Sequence, residues 1–266
     1  MPTPRDITSI IVENREVNPK IFLLSLNTSD LDIWSEAEPG QFAMLKIADM
    51  SCDDPLLRRP LSIHNVRDGK IQFLYKVLGR GTLLLSQAKP GTALRILAPL
   101  GNGFSISNSK THCLVGGGMG IAPLLYFARK MKEQQPSNTI KVLLGARTKN
   151  ELIAVQDFTE PGLYDVKIAT DDGSEGHHGL VTDLLDGINA SPGDMTVYCC
   201  GPHPMMKAVS NICRKKEWKC QISLEALMAC GMGACLGCAV PKKGIGIQEY
   251  LHVCSDGPVF KAEEIW

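Results

Sequence analysis

The sequence predicts a multidomain β plus α/β protein: an antiparallel barrel, then a parallel-sheet domain, then a small C-terminal module. Three observations predict it. Short apolar runs broken by turn dipeptides fill the first hundred residues. Apolar strands then alternate with helical stretches. Finally, four of the ten cysteines crowd the glycine-rich last 37 residues. The boundaries expected from these shifts are 1–104, 105–224 and 225–266.

In the first segment, strands are expected over 8–12, 21–26, 41–47, 60–65, 70–77 and 92–97. Pro39-Gly40, Asp68-Gly69 and Pro90-Gly91 punctuate them. Glycine and proline at such positions supply the backbone angles that tight turns require. Even spacing with a single interrupting helix, over 81–88, favours a small antiparallel barrel.

After Leu100-Gly101-Asn102-Gly103 the pattern changes. Strands over 112–115, 140–144, 166–169 and 195–199 alternate with helices over 123–133, 151–158, 180–186 and 204–216, and a strand over 221–224 ends the series. Such alternation argues for a parallel, doubly wound sheet.

From about Glu225 periodicity fades, and Gly231, Gly233, Gly237, Gly244, Gly246 and Gly257 accumulate. A segment of about 40 residues buries too little surface to fold unaided, whereas a metal site that couples binding to folding would stabilise it. Cys230, Cys235, Cys238 and Cys254 are spaced C-x4-C-x2-C, then fifteen residues, then C. Plant-type [2Fe–2S] sites have this arrangement, three thiolates from one loop and the fourth from a later segment. The rival is a four-thiolate zinc site, which usually pairs its ligands as two C-x2-C knuckles; only Cys235 and Cys238 make such a pair. Simple burial of four unreactive thiols conflicts with a glycine-rich loop that offers no core of its own. The other six cysteines, from Cys52 to Cys220, are scattered and read as small buried hydrophobes.

Val115-Gly116-Gly117-Gly118-Met119-Gly120-Ile121-Ala122-Pro123 lies between a strand and a helix. Glycines let backbone approach a pyrophosphate, and a helix N-terminus offers donors. The loop is not a strict G-x-G-x-x-G, since Ile121 takes the third glycine's place, and Gly145-Ala146-Arg147 ends the next strand without an acidic residue. A tight strand–helix turn without a ligand remains an alternative. Cys199-Cys200-Gly201-Pro202 ends a later strand, with its two cysteines on opposite faces. In the first segment, Arg59-Pro60-Leu61-Ser62 places a guanidinium fork, suited to a diphosphate, three residues before a hydroxyl. Leu74-Tyr75-Lys76 and Gly79-Arg80-Gly81-Thr82 follow. Taken singly, each reads as a solvated surface group rather than a binding site.

Taken in order, these motifs resemble the ferredoxin-reductase superfamily, and within it the electron-transfer subunits of bacterial class B dihydroorotate dehydrogenases. The matching stretches are LLRRPLSI (56–63), APLGNGF (98–104), VGGGMGIAPL (115–124), DDGS (171–174) and GLVTDLL (179–185). CGPHPMMKA (200–208), SLEALMACGMGACLGC (223–238) and VCSDGPVFKAEE (253–264) complete them. The resemblance implies an FAD-binding barrel, an NAD-binding domain and a [2Fe–2S] module. It assigns FAD to Arg59, Pro60, Leu61, Ser62, Leu74, Tyr75, Lys76, Gly81 and Thr82, with Lys76 standing where an arginine is usual. It assigns NAD to Gly117, Gly118, Met119, Gly120, Cys200, Gly201 and Pro202, and the cluster to Cys230, Cys235, Cys238 and Cys254. The implied role is electron relay in pyrimidine biosynthesis, from the FMN of a catalytic subunit through the cluster and FAD to NAD+, in a complex with two copies of each subunit. No catalytic acid or base is required of this chain. Flavin subunits of hydrogenase, sulfide dehydrogenase or transhydrogenase complexes share the three modules and form the alternative.

The bulk composition narrows the class. Lysine plus arginine and aspartate plus glutamate both number 28, so no excess basic charge points to nucleic acid or an anionic membrane. The N-terminus lacks the apolar run of a signal peptide. No stretch approaches the ~20 apolar residues of a spanning helix. A cytoplasmic protein is expected. Arg147 stands where an arginine can take a 2′-phosphate but is equally compatible with NADH in the family that the chain resembles, and His177-His178, in a glycine-flanked loop, reads as a solvated turn.

Overall fold

The computed structural model describes residues 3–28, 34, 36–47, 54–159, 164–244 and 248–266. Cys52 and Gly246 lie outside them.

Six strands form the first unit: β1 (Arg5–Asn18), β2 (Ile21–Asn27), β3 (Phe42–Lys46), β4 (Arg59–Arg67), β5 (Lys70–Lys76) and β6 (Ala93–Leu100). They close into a barrel in the order β1-β2-β5-β4-β3-β6. The β4–β5 hairpin shows how local chemistry sets the register. Asp68 and Gly69 both adopt left-handed φ, 53° and 67°, the condition for a two-residue turn whose twist matches the strands. Arg67 therefore pairs with Lys70, and Ile63 with Phe73. Alternate residues point inward, so Leu24, Leu26, Ile63, Ile71, Phe73 and Ile96 are fully buried, each contributing roughly 1.5–3 kcal/mol of apolar transfer. Helix α1 (Arg80–Gln87) caps one end with Leu85.

The second unit is a parallel sheet of β7 (Thr111–Gly117), β8 (Thr139–Ala146), β9 (Asp165–Thr170), β10 (His177–His178), β11 (Met195–Cys200) and β12 (Lys219–Ser223). Helices α2 (Leu124–Gln134), α3 (Val181–Asp186) and α4 (His203–Lys215) connect them. The strand order is β10-β9-β8-β7-β11-β12. After β10 the chain returns to the far side of β7, so the loops leaving β7 and β11 diverge. In open α/β sheets ligands bind at that switch point.

One expected helix is absent. Residues 151–158 do not form a continuous helix but are divided between two 3-10 turns, Lys149–Glu151 and Val155–Phe158. Two features explain the break. Ala154 adopts a left-handed φ of 53°, and the Asn18 side-chain amide donates to the carbonyls of Asn150 and Leu152, both at 3.0 Å. Those carbonyls serve the barrel instead of a helix. The loop after β7 also differs in detail: Gly118–Ile121 forms a 3-10 turn, and α2 begins one residue after Pro123.

The last segment carries a hairpin of β13 (Ala239–Pro241) and β14 (Tyr250–His252), then β15 (Val259–Lys261) and helix α5 (Ala262–Ile265). β15 pairs antiparallel with β12 and becomes the edge of the central sheet. Cys238 and Cys254 are only 3% exposed, in one apolar cluster with Phe42, Met44, Leu100 and Val253. The expectation that this loop has no core for its cysteines is therefore corrected: it borrows an apolar wall from the barrel. Asn102 pins the junction, its side chain donating to the carbonyls of Ser255 and Asp256 at 3.1 and 2.9 Å. No helix among the described residues is long and apolar enough to cross a membrane.

Candidate functional site

A cavity of about 260 Å³ opens where the three units meet. The barrel supplies Arg59, Pro60, Leu61 and Ser62 from the start of β4, Leu74, Tyr75 and Lys76 from the end of β5, and Thr82 from α1. Met119 and Ala122 enter from the loop after β7, and Leu224, Glu225, Ala226, Met228 and Pro258 from the C-terminal segment. Thus eight of the nine residues assigned to FAD line one space. The ninth, Gly81, lies just beneath: a Cβ there would come within 2.6 Å of the Arg59 Nε, so only glycine lets that guanidinium lie across the start of α1. Arg59 is held from behind, its Nη1 donating to the Leu57 carbonyl at 2.5 Å. Tyr75 borders the cavity, but the residue is only 2% exposed and belongs to the barrel core. Its hydroxyl donates to Asn14 Oδ1 at 3.0 Å, and burial raises its pKa. Thr82 caps its own turn by accepting the Leu78 and Gly79 N–H groups at 3.0 and 3.2 Å.

The glycine loop and the β11 end do different jobs. A Cβ on Gly120 would sit 2.2 Å from the Cys200 carbonyl oxygen, and one on Gly117 2.5 Å from the Met205 Sδ. A Cβ on Gly201, whose φ is 155°, would come within 3.1 Å of the Gly117 backbone and 2.6 Å of the Met205 Cε. These three, with Pro202, lock the two loops together. Gly118 is different: its φ is +54° and a Cβ would meet nothing within 4 Å. Its backbone borders open space at the switch point, where a phosphate can approach. Cys200 is 2% exposed. Its thiol is pushed well above the ordinary range by burial and then by Glu225, against a hydrogen bond with Ser223. It stays a protonated thiol, not a nucleophile.

His64, which no motif flagged, ties the halves together. It follows Ser62 by two residues, is 2% exposed, and its Nδ1 lies 2.7 Å from the Ala122 carbonyl oxygen. Burial depresses its pKa despite that bond. The neutral tautomer protonated on Nδ1 donates to Ala122, fixing β4 against the loop after β7. The C-terminal wall was also missed: Leu224–Met228 sits between β12 and the first cysteine, with no periodicity to betray which side chains face inward. The available signal was its position, directly after a strand end on the ligand-bearing edge of the sheet.

The four C-terminal cysteines lie as two pairs, and among the described residues no three potential ligands come together around a single ion position. The Cys238 and Cys254 sulfurs lie 3.2 Å apart, and the Cys235 thiol hydrogen-bonds Cys230. Backbone N–H groups aim at the sulfurs: Met232 and Cys235 at Cys230 (3.5 and 3.4 Å), Gly233 at Cys254 (3.1 Å), and Cys254 at Cys238 (3.4 Å). Left-handed φ at Gly231 (72°), Gly233 (80°) and Leu236 (58°) turns these amides inward. Burial raises the Cys230 thiol, but the N–H groups of Met232 and Cys235, the Cys235 thiol and the Ala234 N–H outweigh it and bring the pKa to about 6. Burial and the Cys238 thiol push Cys254 up to about 12, against the Gly233 N–H. Two dithiol pairs wrapped by amide donors suit a two-iron cluster, one pair to each iron.

Comparison with known proteins agrees with this arrangement. Residues 225–266 match the iron–sulfur cluster binding domain of dihydroorotate dehydrogenase B, and residues 114–211 an oxidoreductase NAD-binding domain. A dihydroorotate dehydrogenase B (NAD(+)) electron transfer subunit from Caldanaerobacter subterraneus is 40% identical, with 96% of each chain covered. One from Clostridium acetobutylicum is 38% identical, over 96% of this chain and 95% of its own. Among solved structures, an NADH-dependent reduced ferredoxin–NADP oxidoreductase superposes with a TM-score of 0.82 at 31% identity, over 97% of this chain and 89% of its own. A Neisseria gonorrhoeae ferredoxin–NADP+ reductase with bound FAD and NADP shares the fold at 15% identity, over 79% of this chain and 91% of its own, TM-score 0.67. A chain so alike from end to end belongs to the dihydroorotate dehydrogenase B (NAD(+)) electron transfer subunit family.

Proposed function

We propose that this chain relays electrons from the FMN of a partner catalytic subunit, where dihydroorotate is oxidised, to NAD+. The residues lining the cavity, Arg59, Ser62, Lys76 and Thr82 among them, would hold part of FAD, and Cys230, Cys235, Cys238 and Cys254 would hold a [2Fe–2S] cluster. One observation carries this reading. The wall of the flavin cavity formed by Leu224, Glu225, Ala226 and Met228 runs directly into the cluster loop, Met228 standing two residues before Cys230. Bound cofactors supply hydride exchange at the flavin and single-electron transfer at the cluster. The chain's own residues bind, orient and shield. Arg59 and the start of α1 hold the diphosphate; Ser62 offers a hydroxyl to the ring; Gly118 admits the nucleotide phosphates. His64 and Asn18 keep the two halves in register.

The units are proposed to be 1–104 for FAD, 105–224 for NAD and 225–266 for the cluster. The complex is proposed to contain two copies of each subunit in the cytoplasm. Purified alone, the chain should show flavin and iron–sulfur absorbance and NADH–dye diaphorase activity, without dihydroorotate oxidation. Adding the FMN-bearing subunit should yield NADH from dihydroorotate. Zinc in place of iron, or no flavin, overturns the proposal.

The ferredoxin–NADP oxidoreductase likeness, with its TM-score of 0.82, favours a second reading as a flavin subunit of a transhydrogenase-type complex. Co-purification with a partner other than an FMN-bearing subunit, and no NADH from dihydroorotate, would select it.

A further inference from the structure

We infer that Glu151 sets this chain's preference between the two nicotinamide nucleotides by occupying the guanidinium fork of Arg147. The inference rests on the nucleotide reading of the switch point given above. Arg147 immediately follows β8, and β8 lies beside β7 with Gly145 opposite Gly117. It therefore stands one strand over from the Gly118 loop, on the ligand-bearing edge. In dinucleotide-binding sheets this is where the adenosine ribose is read: a carboxylate there takes the 2′-hydroxyl, an arginine the 2′-phosphate.

Here both groups are present and engaged with each other. Arg147 Nε donates to Glu151 Oε2 at 2.9 Å and Nη2 to Oε1 at 2.5 Å. This is the two-pronged geometry that a phosphate would otherwise use. Glu151 is preset by its surroundings. Asn18 of the barrel holds the carbonyls on either side of it, and the Lys149 N–H donates to Ser174 Oγ at 2.7 Å. The second cation of the turn is committed too, Lys149 pairing with Glu175 at 2.9 Å. Asp171 adds negative charge beside Arg147, and Lys76 of the flavin cavity lies within the field of Glu151.

A 2′-phosphate, with a charge of about −1.5 to −2, would meet paired cations and excess carboxylate. A 2′-hydroxyl meets an acceptor instead, because a carboxylate has about four lone-pair sites and Arg147 uses two. Exposed ion pairs add little to stability. Discrimination between ligands is what this one provides, by repelling the wrong nucleotide as well as accepting the right one.

The test uses the flavin- and iron-loaded chain in dye reduction with NADH and with NADPH. Wild type should favour NADH. Glu151→Gln and Glu151→Ala should each raise the NADPH-to-NADH ratio of kcat/KM by roughly tenfold or more, mainly through KM. Inhibition by 2′-AMP should tighten in parallel, and adding Arg147→Ala should erase both gains, with flavin content reporting intact folding throughout. An unchanged or falling ratio in both single variants overturns the inference, as does a gain that persists without Arg147. A wild type that oxidises neither nucleotide instead defeats the underlying reading of the site, and this inference with it.

Discussion

Cys230 and Cys199 carry the same thiol in opposite settings. Cys199 lies in β11, fully buried, and desolvation followed by the neighbouring thiols of Cys200, Cys213 and Cys113 drives its pKa far up. Cys230 is half-buried in a loop whose amides point at its sulfur, and its pKa falls to about 6. Cys113, in β7, follows Cys199: burial raises it first. Buried sheet cysteines behave as small hydrophobes, whereas the loop cysteines meet a backbone shaped to receive thiolates. The difference lies in where the N–H groups go. In β11 they are consumed by β7 and β12; in 230–235 left-handed turns release them to the sulfurs.

The strongest way to break that comparison is to exchange a cysteine in each setting. Cys230→Ser should abolish stable cluster binding, measured as iron and acid-labile sulfide. It should cut dihydroorotate-linked electron transfer in the reconstituted complex by more than roughly a hundredfold, while NADH–dye activity survives. Cys199→Ser should keep the iron and cost about 1–2 kcal/mol of stability by burying a hydroxyl among apolar neighbours. Equal iron loss in both variants would erase the distinction.

A smaller effect separates the glycines of the nucleotide loop. Gly120→Ala forces a Cβ against the Cys200 carbonyl and should cost at least about 2 kcal/mol in urea unfolding, together with flavin–nucleotide turnover. Gly118→Ala faces open space at φ +54°. It should cost about 1–2 kcal/mol of backbone strain and act chiefly on the KM for NADH.

Labelling gives a graded test. In the apo chain at neutral pH, iodoacetamide should modify Cys230 ahead of Cys113 and Cys199, read by peptide mass spectrometry. Uniform labelling would contradict the assigned settings.

The smallest effect is one of pH. Burial lowers the pKa of His64 below 6.5, so the unfolded chain takes up the proton first as pH falls. The stability contributed by neutral His64 is present above about pH 6.5 and is lost as pH drops toward the folded value. The slope cannot exceed about 1.4 kcal/mol per pH unit, the limit for one proton. His64→Gln should flatten that acid limb in urea midpoints between pH 5 and 7.

Much of this was legible because the signals are local. Asp68-Gly69 names its own turn, Cys230 to Cys254 their spacing, and Arg59 to Ser62 a strand with a charged start. What stayed hidden depends on distant partners. The failure of a helix over 151–158 is set by Asn18, more than 130 residues earlier. The burial of Cys238 and Cys254 depends on Phe42 and Met44 of the barrel. β15 gains its strand character from β12, and the cavity wall at Leu224–Met228 from the convergence of three units. His64 carries no motif at all, and its role appears only once Ala122 is placed beside it.

The most direct test of the central claim, that one continuous site joins flavin to cluster, is an anaerobic NADH titration of the purified chain. It should be followed by visible absorbance and electron paramagnetic resonance, with metal analysis on the same sample. The account predicts about two iron atoms per chain and reduction of both flavin and cluster by NADH, with the cluster signal lost in Cys230→Ser while flavin reduction persists. Zinc at the four cysteines, or iron that NADH leaves oxidised while the flavin is fully reduced, would contradict it.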